Sequence, residues 1–107
     1  MDVDIKTIKE QITKSLDEMG VSVESIILFG SRARGDYNED SDYDILIVTR
    51  ETFPFKEKMK ISGEIRKRLV KLRISSDIII KSNDEIDYFR DKIGCVTREA
   101  LREGIVL

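Results

Sequence analysis

Three short apolar runs alternate along the chain with longer segments in which apolar residues recur at every third or fourth position. The runs are Ser25–Phe29, Tyr43–Thr49 and Asp77–Ile80, and each has the length of a buried strand. The longer segments lie before the first run, between the second and third, and after the third, and their spacing is that of amphipathic helices. The order α-β-loop-β-α-β-α predicts an α/β fold, a small mixed sheet of about three strands flanked by helices.

Length and composition indicate one folded domain spanning residues 1–107. The hydrophobic fraction is 40% and the charged fraction 37%, which is typical of a globular chain and not of a disordered one. The 19 basic and 21 acidic residues nearly cancel, so global charge predicts no nucleic-acid partner. No apolar run approaches the ~18 residues of a membrane span, and the acidic N-terminus is unlike a signal peptide. With a single cysteine, we expect a cytoplasmic protein without a membrane partner.

The residue types that are missing restrict the chemistry. The chain has no histidine and one cysteine, which excludes Ser-His-Asp triads, Cys-His pairs and His- or Cys-rich zinc sites. Any catalysis must therefore use carboxylates, hydroxyls, Lys, Arg or a bound metal. Abundant Glu, Lys, Arg and Ile, with few Gln and Asn, is typical of a thermophile. We accordingly expect a melting midpoint above about 65 °C.

Paired carboxylates stand at the start of the second predicted strand. Asp42 and Asp44 are two residues apart, so a strand places both side chains on one face, within reach of one ion. Oxygen ligands without nitrogen or sulfur partners favour Mg²⁺ or Mn²⁺. Asp77 begins the next strand, and if the two strands are neighbours it completes a site for two metal ions. The alternative is that these aspartates are ordinary turn or strand-end charges.

A candidate phosphate loop follows the first strand. Gly30 lets the backbone approach a phosphate closely, the Ser31 hydroxyl and the next N–H groups can donate to it, and Arg32 and Arg34 can neutralise it. The alternative is a plain tight turn. The glycine spacing of G-x-x-x-x-G-K-[ST] is present at Gly30 and Gly35, but the required Lys and Ser/Thr are absent.

The segment Lys56–Arg73 is strongly basic, with eight Lys and Arg against two Glu. Two interpretations are open: a solvated helix face, which we favour, or a docking surface for phosphate, nucleic acid or an acidic partner. The apolar residues predicted to form the buried side of this helix are Phe55, Met59, Ile61, Ile65, Leu69 and Leu72. Further along, Ser82-Asn83-Asp84-Glu85 fits a capping box, and Gly94 is a candidate break between two short helices.

Taken together, these residues form a known pattern. Gly30-Ser31, then ten residues, then Asp42-Tyr43-Asp44 resembles the G-S-x10-D-x-D motif of the minimal nucleotidyltransferase (MNT) family, within the DNA polymerase β-like nucleotidyltransferase superfamily. Asp77 lies where that family carries its third carboxylate, and the Arg-rich loop and the C-terminal segment 102–107 are also similar. The resemblance covers nearly the whole chain.

The resemblance implies an activity and a role for each site residue. Members of the family transfer a nucleoside monophosphate from an NTP, usually AMP from ATP, to a hydroxyl. Gly30 and Ser31 would hold the triphosphate, assisted by Arg32 or Arg34. The carboxylates of Asp42 and Asp44 would coordinate two Mg²⁺ ions. Asp77 would bind the catalytic metal and help to deprotonate the acceptor.

The family also suggests a partner. Stand-alone proteins resembling this one are often antitoxins that silence a HEPN-type ribonuclease toxin by adenylylating one of its tyrosines, and we expect the same here. Two alternatives stay open. The chain could neutralise its partner by direct binding without turnover, or it could act on RNA or a small molecule, with Lys56–Arg73 steering a polyanion.

Overall fold

The chain folds around a four-stranded mixed sheet in the computed structural model, which describes residues 3–90, 92 and 96–107. The helices are α1 Val3–Glu18, α2 Ser31–Arg34, α3 Phe55–Val70, α4 Asn83–Phe89 and α5 Val96–Glu103. The strands are β1 Val23–Phe29, β2 Tyr43–Thr49, β3 Ser76–Ser82 and β4 Ile105–Val106. Among the described residues, no helix is long and apolar enough to cross a membrane.

The strands lie in the order β3-β2-β1-β4. Strand β1 pairs antiparallel with β2 and with β4, while β2 and β3 are parallel neighbours joined by α3. This confirms the predicted mixed sheet and adds one strand to the three expected. Strand β4 has only two residues, too few to show an alternation of apolar and polar positions in the sequence.

Helices cover both faces of the sheet. Against α1 and α3 lies the larger cluster, which includes Ile12, Leu16, Ile45, Ile47 and Leu69. The smaller cluster contains Leu46, Val48 and, from α4 and α5, Ile86 and Ala100. Because strand residues alternate between faces, β1, β2 and β3 each place residues against both clusters.

The predicted buried side of α3 is correct at Ile61, Ile65 and Leu69 but wrong at three other positions. Met59 is 49% exposed, because two residues before Ile61 is nearly the opposite side of a helix. Leu72, 46% exposed, lies beyond the end of α3. The first residue of the helix, Phe55, is 77% exposed.

The predicted capping box is confirmed at the start of α4. Ser82 Oγ accepts a hydrogen bond from the Glu85 N–H, and Glu85 Oε1 accepts one from the Ser82 N–H, at 3.2 and 2.9 Å. The separation of the last helical segment into α4 and α5 is also confirmed. The predicted break at Gly94 lies outside the described residues.

Candidate active site

The sequence-predicted site residues meet at one end of the sheet. Strand β1 ends there, while β2 and β3 begin there, because β1 is antiparallel to β2 and β3 is parallel to it. Phe29 pairs with Asp44 on one side, and Asp44 pairs with Asp77 on the other. The loop that follows Phe29 is therefore brought to the side of both carboxylates, and the strands of Asp44 and Asp77 are neighbours, the condition on which the predicted site depended.

Asp44 is the central carboxylate of this group. It is half-buried between β1 and β3, and burial raises its pKa above the usual 3.8. The nearby charges of Asp77 and Asp42 raise the pKa further, and Arg34 partly opposes them. The charges of Asp77 and Asp42 thus both oppose that of Asp44, and a cation would stabilise this arrangement.

Gly30 places the candidate phosphate loop directly against Asp44. Its φ of 72° and ψ of −158° belong to a region that only glycine adopts readily. A Cβ on this residue would overlap Asp44 Oδ2, so no side chain fits between the loop and the carboxylate. The Gly30 carbonyl then accepts hydrogen bonds from the N–H groups of Ala33 and Arg34, at 3.1 and 3.0 Å, in the short helix α2 that starts at Ser31.

The two arginines of the loop have different surroundings. Arg32 lies between the rings of Tyr37 and Tyr43, 4.3 and 4.4 Å from their centroids. Its guanidinium donates to the carbonyls of Ser41 and Glu39, so it holds the 36–42 loop in place. These contacts explain the fold of the loop, and they engage the Nε and Nη2 donors of Arg32.

Arg34 is the arginine that faces the carboxylates. It lies close enough to Asp44 to lower the pKa of that group, and it forms ion pairs with Asp36 and with Glu103 of α5. The Nη1–Oε1 distance to Glu103 is 3.1 Å and the Nε–Oδ2 distance to Asp36 is 3.4 Å. Glu103 is a neighbour that the sequence did not indicate, because 69 residues separate the two partners.

The carboxylates are suitable ligands for Mg²⁺, because all the donor atoms are oxygens and their negative charges repel one another. No group of three or more Asp, Glu or Cys side chains is already gathered in metal-holding geometry within residues 3–90, 92 and 96–107. Asp42 lies one residue before β2, and its Oδ1 accepts a 2.6 Å hydrogen bond from Ser75 Oγ. Ser75 is a second neighbour that no sequence pattern indicated.

The basic residues of α3 lie away from this group, whereas Arg73, at the end of the basic segment, lines a pocket with Ser75 and Tyr43. The buried residues of α3 pack on the cluster shared with α1, whereas Asp44 alternates with Tyr43 and Ile45 and so lies on the opposite face. Two of the basic side chains are paired, Lys58 with Glu85 and Arg68 with Glu18. A role for this segment in binding nucleic acid stays the less favoured alternative that the sequence left open.

Comparison with known proteins decides the family. A model of the nucleotidyltransferase domain matches residues 9–106. The chain belongs to this family. A predicted protein adenylyltransferase of Methanocaldococcus jannaschii is 37% identical to this nucleotidyltransferase over 103 residues, 95% of each chain. A second one from the same organism is 47% identical over 57 residues, about half of either protein (53% of this chain and 54% of the other).

Solved structures agree with the fold of this nucleotidyltransferase. A nucleotidyltransferase structure from Sulfolobus solfataricus has a TM-score of 0.61 at 26% identity, covering 95% of this chain and 74% of the other. A toxin–antitoxin complex with AMP-PNP gives 0.61 at 20% identity, covering 91% and 69%. A complex of tri-AMPylated Shewanella oneidensis HEPN toxin with MNT antitoxin gives 0.58 at 16%, covering 94% and 69%. The last two show the fold alone. The nucleotidyltransferase family inferred from the G-S-x10-D-x-D pattern is confirmed by the match over residues 9–106 and by the 37% identical relative.

Proposed function

We propose that this nucleotidyltransferase moves AMP from ATP, in a Mg²⁺-dependent reaction, to a tyrosine hydroxyl of a HEPN-type toxin and thereby acts as its antitoxin. The observation that carries the proposal is the position of Asp44. It lies between Asp77 and a glycine whose missing side chain leaves room for its carboxylate. A phosphate loop and a carboxylate group therefore share one sheet end, as transfer of a phosphoryl group requires.

The acceptor and partner are supported by the relatives. Two related proteins of M. jannaschii are predicted protein adenylyltransferases, which favours a protein as the acceptor. Chains of similar fold occur in toxin–antitoxin complexes, one with AMP-PNP and one with a tri-AMPylated HEPN toxin. These favour ATP as the donor and a HEPN toxin as the partner.

Each residue then has a stated part in the reaction. The N–H groups after Gly30 and the Ser31 hydroxyl would bind the triphosphate, with Arg34 as the nearby cation. Asp42, Asp44 and Asp77 would hold two Mg²⁺ ions. Bound Mg²⁺ would neutralise the phosphate oxygens and lower the pKa of the acceptor hydroxyl. Arg32, whose Nε and Nη2 hold the loop, would support the nucleotide mainly through the shape of that loop.

The transfer is a displacement at the α-phosphorus of ATP. The acceptor hydroxyl oxygen forms the new P–O bond, the bond to the β,γ-diphosphate breaks, and pyrophosphate leaves. The Asp77 carboxylate would accept the hydroxyl proton. Asp77 suits this part because its side chain is exposed, whereas that of Asp44 is half-buried. An acceptor presented by another molecule can therefore reach Asp77.

The deciding experiment is intact mass spectrometry of the protein encoded next to this one, after incubation with this chain, ATP and Mg²⁺. We expect a gain of one or more AMP units that EDTA abolishes. The gain should be absent with Asp42→Asn/Asp44→Asn and retained with Asp40→Asn, which removes an exposed carboxylate of the same loop.

The other outcomes separate the alternatives. An unchanged mass, together with neutralisation of the neighbour that survives Asp42→Asn/Asp44→Asn, would replace the proposal by binding without turnover. If the mass of the neighbour is unchanged but pyrophosphate is released when RNA or a small hydroxyl compound is added, the transferase activity is kept and the acceptor must be revised. Binding of RNA that weakens steeply with salt would point to Lys56–Arg73.

A further inference from the structure

Ser75 contacts the segment that carries Asp42 in two ways. Its Oγ donates a 2.6 Å hydrogen bond to Asp42 Oδ1, a length typical of a hydroxyl donating to a charged carboxylate. Its backbone carbonyl accepts a 3.0 Å hydrogen bond from the N–H of Tyr43, the first residue of β2. Backbone and side chain of one residue thus hold both Asp42 and the start of the strand behind it.

The turn after α3 fixes where Ser75 lies. The Ile74 N–H donates back to the Leu69 carbonyl at 3.0 Å, and Arg73 adopts a φ of 61°. These two features reverse the chain at the helix end, in the manner of a left-handed helix cap. Ile74 is then buried in the larger cluster, and Ser75 emerges beside Asp42.

Asp42 needs such a contact more than the other two carboxylates do. It lies outside the strand and is exposed, whereas Asp44 and Asp77 are fixed by strand pairing. An untethered Asp42 side chain would turn into solvent. The hydrogen bond occupies one of its two oxygens and leaves acceptor capacity for an ion.

We propose that Ser75 is a positioning residue that holds Asp42 at the carboxylate group and so sets the affinity of the site for its divalent ion. This inference rests on the proposed function, because it assumes that Asp42 is a metal ligand. Partners that orient ligating carboxylates change metal affinity by roughly 10–100-fold when they are removed. Because Ser75 is exposed, we expect the lower end of that range.

The test is Mn²⁺ binding measured by electron paramagnetic resonance, with the full chain and an ATP analogue that has a methylene bridge between its α- and β-phosphates. Ser75→Ala should raise the Mn²⁺ dissociation constant about tenfold. Ser75→Thr keeps the hydroxyl and should restore binding to within about twofold of the original. Ser76→Ala is the matched control, because the Ser76 hydroxyl is buried with no hydrogen-bond partner among the described residues.

Activity provides an independent measurement. The Mg²⁺ concentration for half-maximal AMP transfer should rise in Ser75→Ala by the same factor as the Mn²⁺ dissociation constant, while the melting temperature stays unchanged. A purely structural role would lower the melting temperature and leave the metal dependence alone.

Two outcomes would overturn the inference, and they differ from failure of the proposed function. Unchanged or tighter Mn²⁺ binding in Ser75→Ala, with binding lost in Asp42→Asn, would remove the positioning role and keep the metal site. Failure of Ser75→Thr to restore binding would also remove it. Unchanged binding in both Ser75→Ala and Asp42→Asn would show that Asp42 is not a ligand, and the metal site itself would have to be revised.

Discussion

The two faces of the sheet differ in how completely helices cover them. Fifteen described residues are buried in the cluster against α1 and α3, and six in the cluster against α4 and α5. Asp44 and Asp77 belong to the second face, at the end where the strands begin. Among the described residues, the first face therefore supplies most of the buried apolar side chains, and the second carries the accessible carboxylates of Asp77 and Asp42 at its sheet end.

The well-packed face also fixes the site on the other one. Tyr43 and Ile45, on either side of Asp44 in β2, are 4% and 0% exposed. Because strand residues alternate, burying these two side chains fixes the backbone from which the carboxylate projects. A site on a rigid strand keeps its geometry better than one on a loop. Asp42, which precedes the strand, lacks this support.

The largest expected effect comes from removing charge on the open face. Asp44→Asn should lower AMP transfer by about a thousandfold, because it removes a carboxylate that would stabilise the ions at the reacting phosphate. The melting temperature at pH 7 without metal should stay the same or rise, since repulsion with Asp77 and Asp42 is relieved. Mass spectrometry and thermal melting in EDTA measure the two effects. A lower melting temperature for Asp44→Asn would contradict the inference that repulsion between these carboxylates destabilises the metal-free protein.

The pH dependence of that stability gain has a definite sign. The pKa of Asp44 is raised by folding, so the folded state binds its proton more tightly than the unfolded state does. Its contribution to stability is full below the usual pKa of 3.8 and is lost as pH rises through the raised pKa. The advantage of Asp44→Asn should thus be largest at neutral pH and vanish in acid. An advantage independent of pH would point to another cause.

Truncating buried apolar side chains should lower the unfolding free energy, and the loss should be larger in the cluster against α1 and α3 than in the cluster against α4 and α5. Ile12→Ala, in α1, removes a fully buried side chain (0% exposed) from the larger cluster and should cost about 4 kcal/mol of unfolding free energy. Ile86→Ala, in α4, removes a 6% exposed side chain from the smaller cluster and should cost about 2 kcal/mol. Urea denaturation measures both. Equal costs would mean that the two faces support the fold equally.

Gly30 and Gly35, on either side of α2, both have a positive φ, but only Gly30 lies in close contact with another side chain. Comparing the two therefore separates the effect of backbone strain from the effect of a steric clash. Alanine at Gly30 or Gly35 should cost about 1–3 kcal/mol, because φ is 72° and 91°. Only at Gly30 would the new methyl group overlap Asp44 Oδ2, whereas at Gly35 it meets no described atom within 4 Å. Gly30→Ala should therefore abolish AMP transfer at temperatures where it is folded, and Gly35→Ala should retain it. Comparable activity losses would show that loop strain alone limits the enzyme.

The sequence predicted the strands that carry the candidate site better than it predicted the edge of the sheet. Strand β2 was predicted at its observed bounds, and the neighbouring starts of β2 and β3 follow from one right-handed crossover through α3. The pairing of β4 with β1 joins residues nearly 80 positions apart, so no local sequence pattern predicts it. The predicted roles of Asp42, Asp44 and Asp77 as metal ligands stay predictions.

Side-chain partners within the site were the least predictable part. Arg32 and Arg34 look equivalent in the sequence, yet one is held between Tyr37 and Tyr43 and the other faces Asp44. That difference arises from the direction of successive residues in the short helix α2, which projects them about 100° apart per residue. Ser75 is one of two adjacent serines, and only the turn after α3 decides which of them reaches Asp42.

The smallest expected effect concerns an ion pair that connects the two faces. Lys58 at the start of α3 and Glu85 in α4 form a 2.6 Å Nζ–Oε2 contact, with side chains only 18% and 23% exposed. Burial alone would raise the pKa of Glu85, but hydrogen bonds from Lys58 and the Ser82 N–H outweigh it and lower the pKa. The stability this pair provides is present above the usual pKa of 4.5 and is lost as pH falls through the lowered value.

Lys58→Met should therefore cost about 1 kcal/mol at pH 7 and progressively less in acid, where Glu85 is protonated in both proteins. Arg50→Met is the matched control, since the Arg50–Glu24 pair is 68% and 45% exposed and should contribute less than about 0.5 kcal/mol. Urea denaturation at several pH values measures both variants. Lys58 lies on α3 and its partner Glu85 lies on α4, so the ion pair connects helices on the two faces of the sheet. If the two variants cost the same unfolding free energy, α4 is held in place by its apolar contacts and its capping box alone.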